Sequence, residues 1–214
     1  VKTDETEFSI SLWCKLSAGI SSSISLFKCR NTGSSNNQVS LVYHAHYNEY
    51  RFAVKFGGVA DLCNGGATNA GGASYEGDGI WHHLVGTVGV ENNTTEFWID
   101  NEKKESIAGV GTLNESINDA SLFQNGTGGT YFDGDVKDVA IYGRQLTDDE
   151  IGIIYNARGR SGDKGIDLVS GSHVSNTGLI AHFRFEEKSG TVAINEAGAN
   201  GTYVNAPAIT TNIP

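Results

Sequence analysis

Four basic or titratable side chains share one face of a predicted β-hairpin: His44, His46, Arg51 and Lys55. Residues 39–45 and 50–56 alternate apolar and polar positions on either side of a turn, and alternate residues of a strand point the same way. The cluster is unusual in an acidic chain, and it indicates either a solvated outer face or part of a binding surface. His44 and His46 also have the spacing of a metal-ligand pair, but no carboxylate or thiol accompanies them at a convincing spacing.

Two tryptophans lie on the polar sides of predicted strands. Trp13 alternates with serine and lysine in residues 8–17, and Trp98 stands between Glu96 and Asp100. A tryptophan flanked by carboxylates suits stacking against a sugar ring, with the acids accepting hydrogen bonds from its hydroxyls. A Trp98 covered by a loop gives the same pattern, so both interpretations stay open. The residues predicted to bind carbohydrate are Trp98, Trp13, His44, His46 and Arg51.

The acidic residues lack the spacing of a glycoside hydrolase. A retaining hydrolase needs two carboxyl groups about 5 to 5.5 Å apart, which on a strand means acids at alternate positions of one face. Glu96 and Asp100 share a face, but four residues separate them, roughly 13 Å along a strand. Glu76 and Asp78 come nearest but lie in a glycine turn, and no nucleophilic serine or cysteine motif stands out. We therefore expect a protein that is not an enzyme.

A sheet must position these side chains. The 214 residues include 28 glycines and only two prolines, which is typical of many short strands joined by tight turns. Residues 131–157 contain a glycine turn, a strand and a short helix near residues 147–158. Thr147 followed by Glu150 forms a capping box that predicts the start of this helix. Alternation in the strand predicts one side made of Val136, Asp138, Ala140 and Tyr142.

Charge and hydropathy restrict the partners. The formal net charge of −10 and the pI near 4.9 disfavour nucleic acid and anionic membranes, which would require a basic surface. No run of about 20 apolar residues could span a bilayer, so no membrane insertion is expected. The sequence contains no Met, and we therefore expect a processed product or a fragment.

The three cysteines, Cys14, Cys29 and Cys63, cannot all pair with one another. If residues 8–17 and 25–30 form neighbouring strands, Cys14 and Cys29 both point inward. A Cys14–Cys29 bridge and two buried thiols then fit the pattern equally well.

Three segments together resemble one known fold family. FDGDVKDVAIYGRQLTDDEI at residues 132–151 is similar to the closing motif of the laminin-G-like, concanavalin A-like jelly rolls. FSISLWCK at residues 8–15 resembles their early core strand, and GIWHHLV with EFWIDN at residues 79–85 and 96–101 resembles two further strands. The resemblance implies an all-β jelly-roll sandwich of two antiparallel sheets with one short helix. It also implies a non-catalytic carbohydrate-binding or adhesion module that meets glycans on an extracellular, cell or virion surface.

The C-terminal part divides into a polar linker at residues 160–177 and an apolar strand segment at residues 178–206. The second segment resembles the opening strand of the same family, although it follows the closing motif of the body at residues 1–159. We expect it to complete the sandwich as a permuted first strand, in cis or in a neighbouring subunit, because an isolated apolar strand would leave an exposed edge. The alternative is a truncated second repeat. If residues 178–214 pair with another subunit, the chain would be a structural or decoration protein of a viral or cell-surface assembly.

Many relatives in this family hold a structural calcium near the opening loop and the closing strand. The resemblance therefore implies a calcium site at Asp138 and Asn195. The site is expected to be weak, because Asn195 stands where the family has an acid and calcium sites gain affinity from carboxylates.

Overall fold

The computed structural model describes residues 7–30, 38–56, 59–64, 79–89, 94–108, 119–125, 130–157, 168, 176–185 and 192–202. Over these residues the protein consists of two main antiparallel sheets and one helix. The predicted all-β sandwich with a short helix is confirmed.

The larger sheet has six strands, numbered here in chain order. In space they run β13 (Leu179–Phe183), β12 (Gly134–Tyr142), β1 (Phe8–Leu16), β6 (His82–Gly89), β7 (Thr94–Ile99) and β8 (Glu102–Ala108). The first predicted strand of the chain, β1, therefore lies inside the sheet, between β12 and β6.

The smaller sheet has five strands, which run β5 (Val59–Asn64), β4 (Glu49–Phe56), β3 (Gln38–His44), β2 (Ile24–Arg30) and β9 (Asp119–Leu122). Two short pairs complete the strands of the described chain: β10 (Gln124–Asn125) with β11 (Thr130–Tyr131), and β14 (Val192–Ala193) with β15 (Gly201–Thr202). The predicted hairpin of basic side chains corresponds to β3 and β4.

The main core lies between the two sheets, where alternate residues of each strand meet. Leu12 of β1, Leu41 of β3, Phe52 of β4 and Phe97 of β7 are all buried in it. Burial of apolar surface at about 25 cal/mol per Å² is the dominant favourable term in such a core. Cys14 and Cys29 are buried there as thiols, with no disulfide between them, which decides between the two alternatives left by the sequence.

A second apolar cluster forms where α1 (Asp148–Asn156) packs on the other face of the six-stranded sheet. The cluster contains Val85, Trp98, Ala140, Tyr142, Leu146, Ile151 and Ile154. The helix begins as predicted, because Thr147 Oγ1 accepts a hydrogen bond from the Glu150 N–H at 3.3 Å and Glu150 Oε2 accepts one from the Thr147 N–H at 3.0 Å. Leu168, in the predicted polar linker, is buried in the same cluster.

Strand β12 does not alternate as predicted. Ala140 lies opposite Ser11 but Lys137 lies opposite Trp13, so three steps along β12 match two steps along β1. This β-bulge coincides with a left-handed backbone at Asp138, where φ is 51°. Val136 therefore faces the main core, whereas the sequence had placed it on the side of Ala140.

Strand β13 pairs with β12 of the same chain, with Phe183 opposite Val139. The following loop then covers the outer edge of β13. His182 donates its N–H to Asn195 Oδ1 at 2.8 Å, and its carbonyl accepts the Glu196 N–H at 2.9 Å. The edge of β13 is thus closed at this point by the chain itself.

Candidate functional site

Both predicted sugar-stacking tryptophans lie beneath α1. Trp13 is 1% exposed and contacts the rings of His83 and Tyr155, whose centroids lie 4.8 and 5.6 Å away. Trp98 is 6% exposed and has the Lys103 ammonium 4.7 Å from its ring centroid. The structure thus corrects the prediction for both side chains, because the helix covers the sheet face on which they lie.

The hairpin between β3 and β4 carries the remaining predicted residues. Strand β3 ends at His44 and residues 45–48 form the turn, so His46 lies in the turn and not on a strand as predicted. The turn is held by two hydrogen bonds, from the Tyr47 N–H to the His44 carbonyl at 3.1 Å and from the Asn48 N–H to the Ala45 carbonyl at 3.2 Å. It therefore presents its side chains in a defined position.

Asn48 explains why the chain turns here. Its φ is 54°, a left-handed conformation that asparagine tolerates better than most residues. Its side-chain oxygen accepts a 2.6 Å hydrogen bond from the hydroxyl of Tyr43, a core residue of β3. The tip of the hairpin is thereby fixed to the core.

Tyr47 is the centre of the surface that this turn presents. Tyr47 is 50% exposed. The Arg51 guanidinium lies 4.5 Å from the centroid of its ring, and the centroids of the His44 and His46 rings lie 4.9 and 4.7 Å from it. We define the hairpin site as His44, His46, Tyr47, Glu49 and Arg51. The site thus combines an exposed aromatic ring with neighbouring side chains, those of Arg51, His44 and His46, that can all form hydrogen bonds.

A buried ion pair supports the hairpin site from below. The Nε of Arg51 donates to Oε1 of Glu49, whose side chain is 0% exposed, while the Arg51 side chain is 18% exposed. Nη1 and Nη2 of Arg51 have no hydrogen-bond partner among the described residues, and neither is buried. The guanidinium thus keeps two donors for a ligand.

His44 is the titratable group that lies directly opposite this pair. Glu49 is its cross-strand partner. Burial lowers the pKa of His44, the positive charge of Arg51 lowers it further, and the Glu49 carboxylate acts in the opposite direction. At neutral pH the imidazole is therefore uncharged, and Glu49 and Arg51 balance each other's charge.

Three of the five residues of the hairpin site, His44, His46 and Arg51, were predicted from the sequence, whereas Tyr47 and Glu49 were not. The position of Tyr47 in the sequence did indicate exposure, because a large ring in a four-residue turn does not lie on a strand whose inner face could bury it. Lys55, the fourth member of the predicted cluster, lies opposite Gln38 at the other end of the hairpin and outside the site.

Ser11 and His83 superficially resemble a nucleophile and its base. Ser11 Oγ and His83 Nε2 are 2.8 Å apart, but both residues are buried in the sheet under α1. Burial lowers the pKa of His83 to about 3. Asp100 binds the ring of His82 at 2.6 Å and the backbone N–H of His83, and does not orient the His83 ring. The pair is therefore part of the packing of the sheet.

An acidic groove of about 540 Å³ lies beside the start of α1. Its lining residues are Glu7, Thr94, Glu96, Gln145, Leu146, Thr147, Asp148 and Asp149. Lys103 lies 3.0 Å from Glu96 and 3.4 Å from Asp148, so it partly neutralises the groove. None of these described lining residues is aromatic, which makes the groove a poorer sugar site than the hairpin site.

Asn195 does not fit a calcium ligand in this structure. Its Oδ1 already accepts the N–H groups of His182 at 2.8 Å and Ala197 at 3.0 Å, which uses both lone pairs of the oxygen. Its Nδ2 donates to the Ala199 carbonyl at 3.1 Å. In the part of the chain that the structure describes, no group of three or more His, Cys, Asp or Glu side chains is placed to hold a metal ion. Of the two predicted calcium residues, only the buried Asp138 keeps that prediction open.

Several solved structures share the fold of this chain at low sequence identity. CBM40 of Ruminococcus gnavus IT-sialidase, bound to α2,3-sialyllactose, is 15% identical with a TM-score of 0.54 over 71% of this chain and 84% of that chain. The heptameric SAP-like pentraxin of Limulus polyphemus is 13% identical with a TM-score of 0.54 over 92% and 83% of the two chains. These likenesses establish the fold.

Botulinum neurotoxin type C, which interacts with two ganglioside molecules, is 15% identical with a TM-score of 0.51 over 71% of this chain. This chain covers only 36% of that one. Among curated proteins, none matches the sequence. A family model described as the concanavalin A-like lectin/glucanases superfamily matches residues 1–152.

Proposed function

Since the chain belongs to the concanavalin A-like lectin/glucanase superfamily, we propose that it is a non-catalytic carbohydrate-binding module whose ligand contacts the hairpin site. The observation that carries the proposal is the half-exposed Tyr47 ring, held on a fixed turn and surrounded by side chains that can hydrogen-bond. Sugars present an apolar C–H face to aromatic rings and hydroxyl groups to polar neighbours. Sialyllactose and gangliosides, bound by two structurally similar proteins, support a glycan as the ligand class.

The hairpin site favours binding over hydrolysis. Glycoside hydrolysis requires two carboxyl groups on either side of the scissile bond. Glu49 is the carboxylate of the hairpin site, and it is fully buried and paired with Arg51. Among the contacts described around the Tyr47 ring, there is therefore neither an accessible acid nor a second carboxylate.

We place the module, as part of the same proposal, where glycans are displayed, on an extracellular, cell or virion surface. In the described part of the chain, none of the helical structure is long and apolar enough to cross a membrane. Adhesion through glycans would follow from several modules acting together, since single sugar contacts are weak and multivalency raises their apparent affinity.

A glycan array with the purified chain tests the proposal. We expect binding to a defined set of glycans, and we expect Tyr47→Ala to reduce the affinity about tenfold, the equivalent of about 1.4 kcal/mol of lost stacking and burial. Ile153→Ala is the matched control, because Ile153 is also an exposed apolar side chain but lies on α1. A blank array, or hits that Tyr47→Ala leaves unchanged, would contradict the proposal.

A further inference from the structure

Arg51 presents an unused pair of hydrogen-bond donors at the hairpin site. Its Nε is committed to Glu49, whereas Nη1 and Nη2 have no partner among the described residues and are not buried. Two parallel N–H groups of a guanidinium match two oxygens of a carboxylate or a sulfate. The geometry therefore favours a negatively charged group on the ligand over a neutral hydroxyl.

The charge balance of the hairpin site opposes such a ligand at neutral pH. Glu49 already neutralises Arg51, and its carboxylate is removed from solvent. A second anion at the same guanidinium would be repelled by Glu49, because two like charges interact strongly where water is largely excluded. Binding of an anion thus requires one more positive charge at the site.

His44 can supply that charge. Nδ1 of His44 and Oε2 of Glu49 are both buried without a hydrogen-bond partner in the part of the chain that the structure describes. The two residues lie directly opposite each other across the hairpin, where Cβ atoms are about 4.5 to 5.5 Å apart. A protonated imidazole carries a hydrogen on both nitrogens, so Nδ1 is then a charged donor whichever tautomer the neutral ring adopts, and Glu49 Oε2 is the unpartnered acceptor across from it.

Other groups around His44 do not replace this role. Glu49 and Arg51 face it from β4, and His46 and Tyr47 from the turn. On the β2 side, the hydroxyl of Ser23 accepts the Ala45 N–H and carries no charge. Of these groups, His44 lies directly opposite the Glu49–Arg51 pair, so a positive charge added there is the one placed to offset Glu49.

We propose that the hairpin site takes a negatively charged sugar, bearing a carboxylate or a sulfate, and that its binding is accompanied by uptake of a proton at His44. The inference deepens the proposed carbohydrate-binding function and rests on it. Uptake of one proton makes the affinity rise up to tenfold for each unit by which the pH falls, between the pKa of His44 in the free protein and its higher pKa in the complex. A neutral sugar gains nothing from this charge.

The test compares three probes with one core: lactose, sialyllactose and sulfated lactose. Dissociation constants are measured from pH 8 to pH 5.5 for the native protein, for His44→Gln, and for the double variant Glu49→Gln with Arg51→Gln. The double variant removes both charges together, so it leaves no unpaired buried carboxylate, and its folding is checked by thermal unfolding. Lys55→Gln is the control, since it removes a cation from the same strand roughly 13 Å away.

We expect the native protein to bind one or both acidic probes at least tenfold more tightly than lactose at pH 5.5. His44→Gln should flatten the pH dependence, the double variant should lose the preference for acidic probes, and Lys55→Gln should keep both. The comparison of sialyllactose with sulfated lactose decides whether the site binds a carboxylate or a sulfate.

Equal, pH-independent binding of all three probes would overturn the inference while leaving the carbohydrate-binding function intact. A preference for acidic probes that persists in the folded double variant would also overturn it. If none of the three probes binds at any pH, and a broad array is blank as well, the proposed function fails together with the inference.

Discussion

The buried pair of Glu49 and Arg51 makes a prediction about stability that can be worked out from the structure. Arg51→Gln alone leaves the Glu49 carboxylate fully buried without its cation. Removing one partner of a buried ion pair costs about 3 to 5 kcal/mol. Because the Arg51 side chain is itself 18% exposed, the pair retains some solvation, and we expect the lower end of that range, about 3 kcal/mol.

The assay is equilibrium unfolding in urea at pH 7, with thermal unfolding as a second measurement. A loss of about 3 kcal/mol should lower Tm by roughly 6 to 12 °C in a domain of this size. The double variant Glu49→Gln with Arg51→Gln exchanges the ion pair for two neutral amides of similar shape. It should recover most of the loss, since replacing both partners of a buried pair is often close to neutral.

Two results would refute this reasoning. An Arg51→Gln variant whose free energy of unfolding stays within about 0.5 kcal/mol of the native value would mean that Glu49 does not depend on Arg51. A double variant as unstable as the single one would mean that Arg51 stabilises the hairpin through its contact with Tyr47 and not through Glu49.

Four further outcomes follow from contacts described above. Thr147→Ala removes the capping box of α1, so it should cost about 1 kcal/mol in urea unfolding, whereas an unchanged midpoint would show that the cap is dispensable. The pKa of His83 is lowered from 6.5 to about 3, so the unfolded state gains a proton first as the pH falls. The free energy of unfolding should therefore decline as the pH falls from 6.5 to 3, and it should decline less steeply in His83→Gln. Equal slopes in the native protein and the variant would contradict the lowered pKa of His83. Deletion of residues 178–214 exposes the edge of β12 and should cause aggregation in size-exclusion chromatography, where a stable monomer would be the contrary result. Millimolar calcium should leave Tm unchanged, because the Asn195 oxygen is saturated; a rise in Tm with calcium would restore the predicted site at Asp138.

The strands and the helix were predictable from local patterns. Apolar residues alternate along β1, β3 and β4, and the Thr147–Glu150 capping box marks the helix start by itself. The bulge in β12 was not predictable, because it depends on how β12 pairs with β1 and leaves no mark in the alternation of a single strand.

The binding residues were only partly predictable for a related reason. Alternation separates the two faces of a strand, but it cannot show which polar face a distant helix will cover. Trp13 and Tyr155 are far apart in the sequence and stack at 5.6 Å, so the burial of Trp13 arises from tertiary structure. Tyr47, in contrast, is exposed because it lies in a local turn, so its exposure follows from the sequence near it.

The loop that closes the edge of β13 also restricts how copies of this protein can associate. At His182 an asparagine side chain and one backbone N–H occupy the positions where the backbone of a neighbouring strand would bind. The opposite edge of the sheet, β8, carries four consecutive charged residues, Glu102 to Glu105, which discourage strand addition. Crowded copies of the protein would thus not join into a continuous intermolecular sheet through these two edges.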